Sequence, residues 1–407
     1  MKILIITTSF PGDKEVEIGG KFVYNEGLAY SQNGADVTVL TPHYKGSLKH
    51  KQINENYRVV RFPYFWPHKY QSLVNNQVPI YGNTSLLKLI NFPFFVFSFL
   101  FYVLKYAKHS NIIHCNWTPT VLFALPARIF FKIPISLTAR GSDIRLLPNW
   151  LNRWIFGKVN AAIDCYGPQP WNLELKRNFP SNYVKLPLIS ENIDQRNIPE
   201  DLPDTQHFHK SDFKILFLGR IDSVKLDTFQ LPLFELIQAT KILLEKNIKV
   251  FVCCIGGGDS KLMSKLNNLV RENKLTEHIK LLGFRKDPAR YFRFFNVGIG
   301  GIAFNTVSQE FAMNHTLQIH VNSKENKDTP WENEKNCYFV EPGSAQKLSE
   351  TLMTVYSQKT KNQEITNNAY NMMSQYVMSP KEGGKHYINA FSELINKNKI
   401  QTDEREY

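Results

Sequence analysis

Apolar residues run unbroken from Ile3 to Ile6, then yield to a loop from Ser9 that closes on Gly19-Gly20. From Lys21 to Gly34 apolar positions recur at helical spacing, and DVTVL over Asp36 to Leu40 forms a second apolar run ended by Thr41-Pro42. A short apolar strand (Lys2 to Thr7), a glycine loop, a helix and a second strand in that order predict a parallel βαβ opening. Further runs of strand length follow at Tyr57 to Phe62, Ile112 to Cys115, Ile135 to Thr138 and Ala161 to Tyr166. A break rich in Pro, Asp and His spans Ile198 to Lys210. Beyond it a second series predicts strands at Lys214 to Leu218, Val250 to Ile255, Ile279 to Leu282 and Val297 to Ile299, with a helix over Leu231 to Glu245. The pattern predicts an α/β protein of two doubly wound halves, with no short-period repeat.

One apolar stretch stands outside that alternation. Leu86 to Leu104 (LLKLINFPFFVFSFLFYVL) approaches the length of a membrane-spanning helix, but Lys88, Asn91, Pro93 and Ser98 interrupt it and leave too short a run after Pro93. Two readings remain open: a buried helix covering the first sheet, or a helix that docks on a membrane surface.

Composition narrows the class. The 407 residues are 43% hydrophobic and 21% charged, which excludes disorder and leaves ample core for two or three domains. Cys115, Cys165, Cys253, Cys254 and Cys337 are scattered, with no CxxC pair, so neither a disulfide framework nor a zinc site is indicated and a reducing cytoplasm fits. MKILIITTSF reads as a strand rather than a signal peptide.

Charge is asymmetric. Lys plus Arg number 49 against 36 Asp plus Glu, net +13, and residues 1–192 carry 21 basic and 10 acidic side chains, net +11. The front half is therefore the half that faces an anion, whether substrate or lipid headgroup, or else carries a solvated basic face. No zinc finger, RNP-like aromatic motif or basic low-complexity tail is present, so nucleic acid is not an expected partner.

Open α/β sheets bind ligands beyond the carboxyl ends of their strands. That rule picks out Phe10 to Lys21, Arg140 to Asp143, Gly219 to Lys225 and Gly256 to Asp259, with a cleft between the halves as the expected site. In TARGSDI, directly after the strand ISL, Gly141 permits a sharp turn and Ser142 or Asp143 can cap a following helix. IIHCNW ends another strand; His114 and Asn116 are assigned to alternate faces, and a lone His114 reads more readily as a satisfied core histidine than as a catalyst. Gly219-Arg220 ends the first strand of the second half, with Lys225 and Asp227 beyond. A guanidinium fork and an ammonium at one loop can together neutralise a diphosphate. Gly256-Gly257-Gly258-Asp259 allows either close backbone approach to a ligand or a loose strand-to-helix loop, and lacks the GxGxxG spacing of a nicotinamide site.

In order and spacing these landmarks resemble glycosyltransferase family 4, the retaining, nucleotide-sugar-dependent enzymes of the GT-B fold with two Rossmann-like domains. The resemblance runs through FPG and Gly19-Gly20, LAYSQNGADVTVLTP, IIHCNW, LTARGSDI and SENID, then LFLGRIDSVK, CCIGGGD, IKLLGF and NCYFVEPGSAQKLSETL. It implies an acceptor-side domain over 1–192, to which a helix at about 381–397 returns, and a donor domain over 193–380. Arg220 and Lys225 would hold the donor diphosphate, with Gly219, Gly257 and Phe304 in the donor site and no metal or other cofactor. Gly19 and Gly20 would lie beside the same phosphates, the missing side chain of Gly20 leaving room. His114 and Asn116 would stand on the acceptor side. Where the family commonly has a histidine this chain has Arg140, a cation that adds charge compensation but accepts no proton near neutral pH.

The family signature of two glutamates separated by seven residues is degenerate. Matching Phe304 to the Gly-Phe-Gly core puts Glu310 at the ribose-binding glutamate and Ile302 where the first carboxylate would be. Fitting Ala312-Met313 instead would put Phe311 at the ribose and leave neither acid. The first register is preferred, because a Glu in an apolar strand-to-helix turn costs desolvation unless it has a partner; a helix N-terminal acid is the structural alternative for Glu310. The resemblance implies sugar transfer from a nucleotide diphosphate to a saccharide or lipid-linked saccharide in bacterial surface polysaccharide assembly. It places the protein in the cytoplasm, peripheral on the inner membrane face. A catalytically inactive GT-B scaffold or glycan-binding subunit is the alternative, and an inverting transferase would need Asp143 or His114 as its base.

Overall fold

The computed structural model describes residues 1–13, 19–44, 46–71, 73–75, 78–79, 86–140, 147–165, 176–179, 181–191, 211–221, 232–285, 287–300, 305–322 and 329–403. The chain divides into two units, Met1–Glu191 with Tyr376–Tyr407, and Asn192–Gln375.

In the first unit the chain runs β1 (Lys2–Ile6), α1 (Lys21–Gln32), β2 (Asp36–Pro42), β3 (His50–Asn54) and β4 (Tyr57–Phe62), then a short hairpin of β5 (Val74–Asn75) and β6 (Val78–Pro79). It continues through α2 (Leu86–Ala107), β7 (Ile112–Asn116), α3 (Val121–Phe131), β8 (Ile135–Thr138), α4 (Asn149–Lys158), β9 (Ala161–Asp164), β10 (Tyr183–Lys185) and β11 (Leu188–Ile189). The sheet order is β10-β9-β8-β7-β1-β2-β4-β3, parallel except for β3, which lies antiparallel to β4. From β1 the chain winds outward through β2 to β4, then returns to the other side of β1 at β7. That reversal sends the connecting helices to opposite faces. Phe99 and Val103 of α2, Ala124 and Ala127 of α3 and Ile155 of α4 pack on the side of Leu4, Ile6, Ile113 and Leu137. α1 covers the other face, where Tyr30 meets His114 at 6.1 Å between rings.

α2 satisfies neither sequence reading alone. Pro93 sits inside the helix without ending it, and Asn91 donates to the Leu87 carbonyl at 2.7 Å. One side of α2 is core, while Phe97 is 72% and Phe101 62% exposed.

The second unit runs β12 (Phe213–Leu218), α5 (Leu233–Glu245), β13 (Val250–Ile255), α6 (Ser260–Glu272), β14 (Ile279–Gly283), β15 (Val297–Ile299), α7 (Thr306–Met313), β16 (Gln318–Val321), β17 (Tyr338–Val340), α8 (Ala345–Ser357) and α9 (Lys359–Met373). Its six strands are all parallel, in the order β14-β13-β12-β15-β16-β17. Both faces are covered: Ile215 and Phe217 face one apolar cluster, Leu216 and Leu218 the other. Hence β12 reads from Ile215 to Leu218 as a continuous apolar run rather than an alternating one.

The chain then returns to the first unit. β18 (Val377–Met378) pairs with β11, and α10 (Pro380–Asp403) packs against α1, with Tyr387 and Phe391 on Tyr30 at 5.3 and 5.4 Å between rings. The contact is close because a Cβ on Gly384 would fall 2.5 Å from the Ala29 carbonyl oxygen. All five cysteines are free and buried.

Candidate functional site

Each sheet has one place where consecutive connections leave in opposite directions, and ligands of doubly wound sheets lie there, beyond the carboxyl ends. In the second unit that place is between β12 and β15. β12 ends at Leu218, and Gly219 and Arg220 follow it, with Arg220 exposed. The Ile221 amide donates to the Gly257 carbonyl at 3.0 Å and the Asp259 amide to the Ile221 carbonyl at 2.9 Å. Gly219, Arg220 and Gly257 are thereby brought to one edge, as the loops after β12 and β13 are paired.

The glycines after β13 serve that pairing. A Cβ on Gly256 would lie 1.8 Å from the Gly219 oxygen, and one on Gly258 would lie 1.9 Å from the Ile221 oxygen. Gly256 also has φ +152, outside the usual range of L side chains. The loop is therefore neither loose nor glycine-rich in order to admit a ligand; two of its glycines admit the neighbouring loop. Asp259 caps α6, accepting from the Lys261 amide at 2.8 Å.

On the β15 side, Asn305 caps α7 in a reciprocal pair with Ser308. The helix begins at Thr306, so Glu310 is its fifth residue. The reading of Glu310 as a first-turn acid fails on that position. Glu310 is half-buried, whereas Phe311 is fully buried, 4.9 Å between rings from Phe292 and against Gly298, where a Cβ would sit 2.6 Å from its ring. Phe311 is therefore a core residue, which the alternative register would have placed on a ribose. Lys225, Asp227, Ile302 and Phe304 lie outside the described residues.

In the first unit the corresponding place is between β1 and β7. Gly20 opens α1 with φ +74, and a Cβ there would lie 2.5 Å from the Ser9 oxygen and 2.8 Å from the Phe10 nitrogen. Its missing side chain makes room for the loop after β1. Gly19 precedes it in the same turn and is half-buried.

At the end of β7 lies a buried polar cluster centred on a residue the sequence reading missed, Glu26 of α1. Arg140 donates from Nη2 to Glu26 Oε1 at 2.6 Å and from Nε to Asn116 Oδ1 at 3.0 Å. Asn116 donates from Nδ2 to Glu26 Oε2 at 3.1 Å, and His114 Nε2 lies 3.5 Å from the same oxygen. His114 Nδ1 is 2.9 Å from Ser136 Oγ. His114 and Asn116 thus share a face, as residues two apart in a strand must, and their assignment to alternate faces is corrected.

Burial pushes the Glu26 carboxyl up, but the Arg140 charge and the His114 hydrogen bond outweigh it and hold it down at about 2. The side chains of Arg140 and Glu26 are 2% and 3% exposed. The guanidinium expected to compensate phosphate or acceptor charge is instead committed to Glu26 and Asn116. The outer side of the cluster is aromatic: Arg140 lies 4.2 Å from the Phe22 ring centroid, and Phe22 meets Trp117 edge-on at 5.9 Å. Trp117 has φ +79, uncommon for a bulky residue and a mark of a constrained loop. Glu26 was legible after all: Val23, Glu26, Gly27 and Tyr30 fall on one helical face that is otherwise apolar, where an acid needs a partner. Gly141, Ser142 and Asp143 lie outside the described residues.

The chain matches no protein-family model and no curated protein. Among solved structures it is similar to sucrose-phosphate synthase from Thermosynechococcus elongatus, at 16% identity and TM-score 0.68, covering 98% of this chain and 100% of that one. It is also similar to HepE from Anabaena in complex with UDP and glucose, at 14% identity and TM-score 0.64, covering 97% and 100%. A glycosyltransferase from Rickettsia africae is matched at 13% identity and TM-score 0.65, covering 97% and 98%. The fold is that of the GT-B glycosyltransferases, two Rossmann-like domains.

Proposed function

We propose that this GT-B chain transfers a sugar from a nucleotide diphosphate donor to a saccharide or lipid-linked saccharide acceptor, with retention at the anomeric carbon. The setting we assign is bacterial surface polysaccharide assembly. The observation that carries the reading is Arg220, exposed beside Gly257 at the β12 edge of the second unit. HepE, of the same fold, is solved with UDP-glucose, and its ligand is the class of molecule we assign to this edge. When the bond from the anomeric carbon to the diphosphate breaks, negative charge gathers on the leaving oxygens. A planar guanidinium fork, with Lys225 as a second cation, favours that charge over the ground state and needs no metal.

Of the two bases an inverting reaction could use, His114 is fully buried against Glu26, Ser136 and Tyr30, which leaves that reading to Asp143. Incubation with radiolabelled nucleotide sugars and a membrane glycolipid extract tests the proposal; neither transfer nor donor hydrolysis from any common donor would refute it. The scaffold reading rests on Ile302, which stands where the resemblance calls for a carboxylate. UDP and GDP separate the two, since a working donor site raises the melting temperature by mass action and a lost one leaves it unchanged.

Glu310→Ala is expected to weaken UDP or GDP binding more than it slows turnover at saturating donor, because ribose hydrogen bonds are alike in ground and transition states. Titration of nucleotide binding beside kcat checks this. A fall in kcat at unchanged affinity would move Glu310 to the sugar.

A further inference from the structure

Helices α2, α3 and α4 form one layer over a single face of the first unit's sheet, α2 packed beside α3 and α3 beside α4. Their inner sides fill the core. Their outer sides should be polar in a water-facing layer, and they are not. Leu86, Leu89 and Phe92 at the start of α2 are 75%, 61% and 58% exposed. Ile129 and Phe130 of α3 reach 75% and 70%, and Trp150 of α4 reaches 70%. With Phe97 and Phe101 these make an apolar outer surface that a soluble monomer rarely carries without a use.

Charge selects the occupant. Apart from the buried Arg140, the described residues between 86 and 160 hold seven basic side chains (Lys88, Lys105, Lys108, Arg128, Lys132, Arg153, Lys158) and no acid. Lys105 and Lys158 each place their ammonium 5.7 Å from the centroid of a ring beside them, Tyr102 and Trp154. Exposed Trp and Phe interleaved with Lys and Arg suit the boundary between headgroups and acyl chains, where rings are immersed and cations meet lipid phosphate. A second copy of the chain is the poorer occupant, because a two-fold contact would set this one-signed face against itself. α2 is long and apolar enough to cross a bilayer, but Phe99, Val103 and Ala107 are fully buried in the sheet's core, so the helix as folded lies along the unit and does not span.

We propose that the outer face of α2, α3 and α4 is a docking surface for an anionic phospholipid bilayer. It immerses its rings to headgroup depth and holds the first unit on the membrane. The inference stands apart from sugar transfer, since vesicle binding is read without donor or acceptor.

Flotation of the full chain with phosphatidylglycerol-containing vesicles tests it, against vesicles of phosphatidylcholine alone, at low and high salt. Binding is expected on the anionic vesicles and is expected to weaken at least about tenfold as salt shortens the Debye length below about 10 Å. Phe97→Ser with Phe101→Ser should abolish flotation at an unchanged melting temperature, because both rings lie outside the core. Lys105→Glu with Lys108→Glu should weaken it while keeping the apolar surface. Absence of binding to both vesicles, or equal binding to both, would overturn the proposal. So would sedimentation showing a dimer that Phe97→Ser with Phe101→Ser disperses, without vesicle binding.

Discussion

Replacing Glu26 by alanine lowers the unfolding free energy of the first unit by about 3–5 kcal/mol, the cost of leaving one partner of a buried ion pair uncompensated. Arg140 is the partner that loses its carboxylate. Its guanidinium, 2% exposed, has Glu26 as its one carboxylate partner among the described residues, and the Asn116 oxygen is a neutral substitute. Joint replacement of Glu26 by Ala and Arg140 by Met removes both charges and is expected to recover part of the loss, a coupling that a double-mutant cycle measures. Acid gives the same result by another route. The Glu26 carboxyl is held at about 2 in the folded state against an ordinary 4.5. Its contribution is therefore complete above about 4.5 and is lost as pH falls through that window toward 2. Urea unfolding from pH 7 to 3 should show this acid limb in the parent and a flatter one in Glu26→Gln. A melting temperature within about 2 °C of the parent for Glu26→Ala would mean the pair contributes little.

Turnover falls about 10²–10³-fold in Arg220→Ala, and by a similar factor in Lys225→Ala, while the melting temperature holds. The two results belong together. Arg220 lies two residues past the end of β12 and is exposed, so its removal opens no cavity, and the largest cost is the charge that meets the leaving diphosphate. Arg220→Lys should recover only part of the rate, since an ammonium keeps the charge without the planar fork. Transfer assays with the donor found by the radiolabel screen, beside circular-dichroism melting, decide the matter. Near-normal turnover in both alanine variants would remove the diphosphate assignment.

The strands were legible where apolar residues ran without interruption, as at β1, β12 and β13, because sheets covered on both faces bury every position. β16 was hidden by its own polarity. Gln318 and His320 are both fully buried on the face opposite Ile319 and Val321, so the run QIHV lacks the continuous apolar signature of its neighbours. β3 was missed for the opposite reason, as a half-exposed edge strand with little apolar content. At the candidate site, sequence placed Gly219, Arg220 and Gly257 on loops that the fold does bring together. It could not show that Gly20, Gly256 and Gly258 each admit a neighbouring loop, because a glycine demanded by a neighbouring loop and one demanded by a ligand look the same in one dimension. It also treated Arg140, His114 and Asn116 singly, when Glu26 on a distant helix is what gathers them.

α10 has a consequence for the order in which the protein can be made. Asn33, just past the end of α1, hydrogen-bonds the Lys381 carbonyl across a separation of 348 residues, and Tyr30 and His114 owe part of their cover to Tyr387 and Phe391. During synthesis the first sheet and α1 emerge early, yet the helix that seals them follows the whole second unit. The nascent first half therefore carries an open aromatic seam while the second unit, continuous in sequence, completes itself. Closure of that seam is a long-range, late event, and a chaperone that shelters exposed aromatic surface on unfinished chains would find its natural client at this stage.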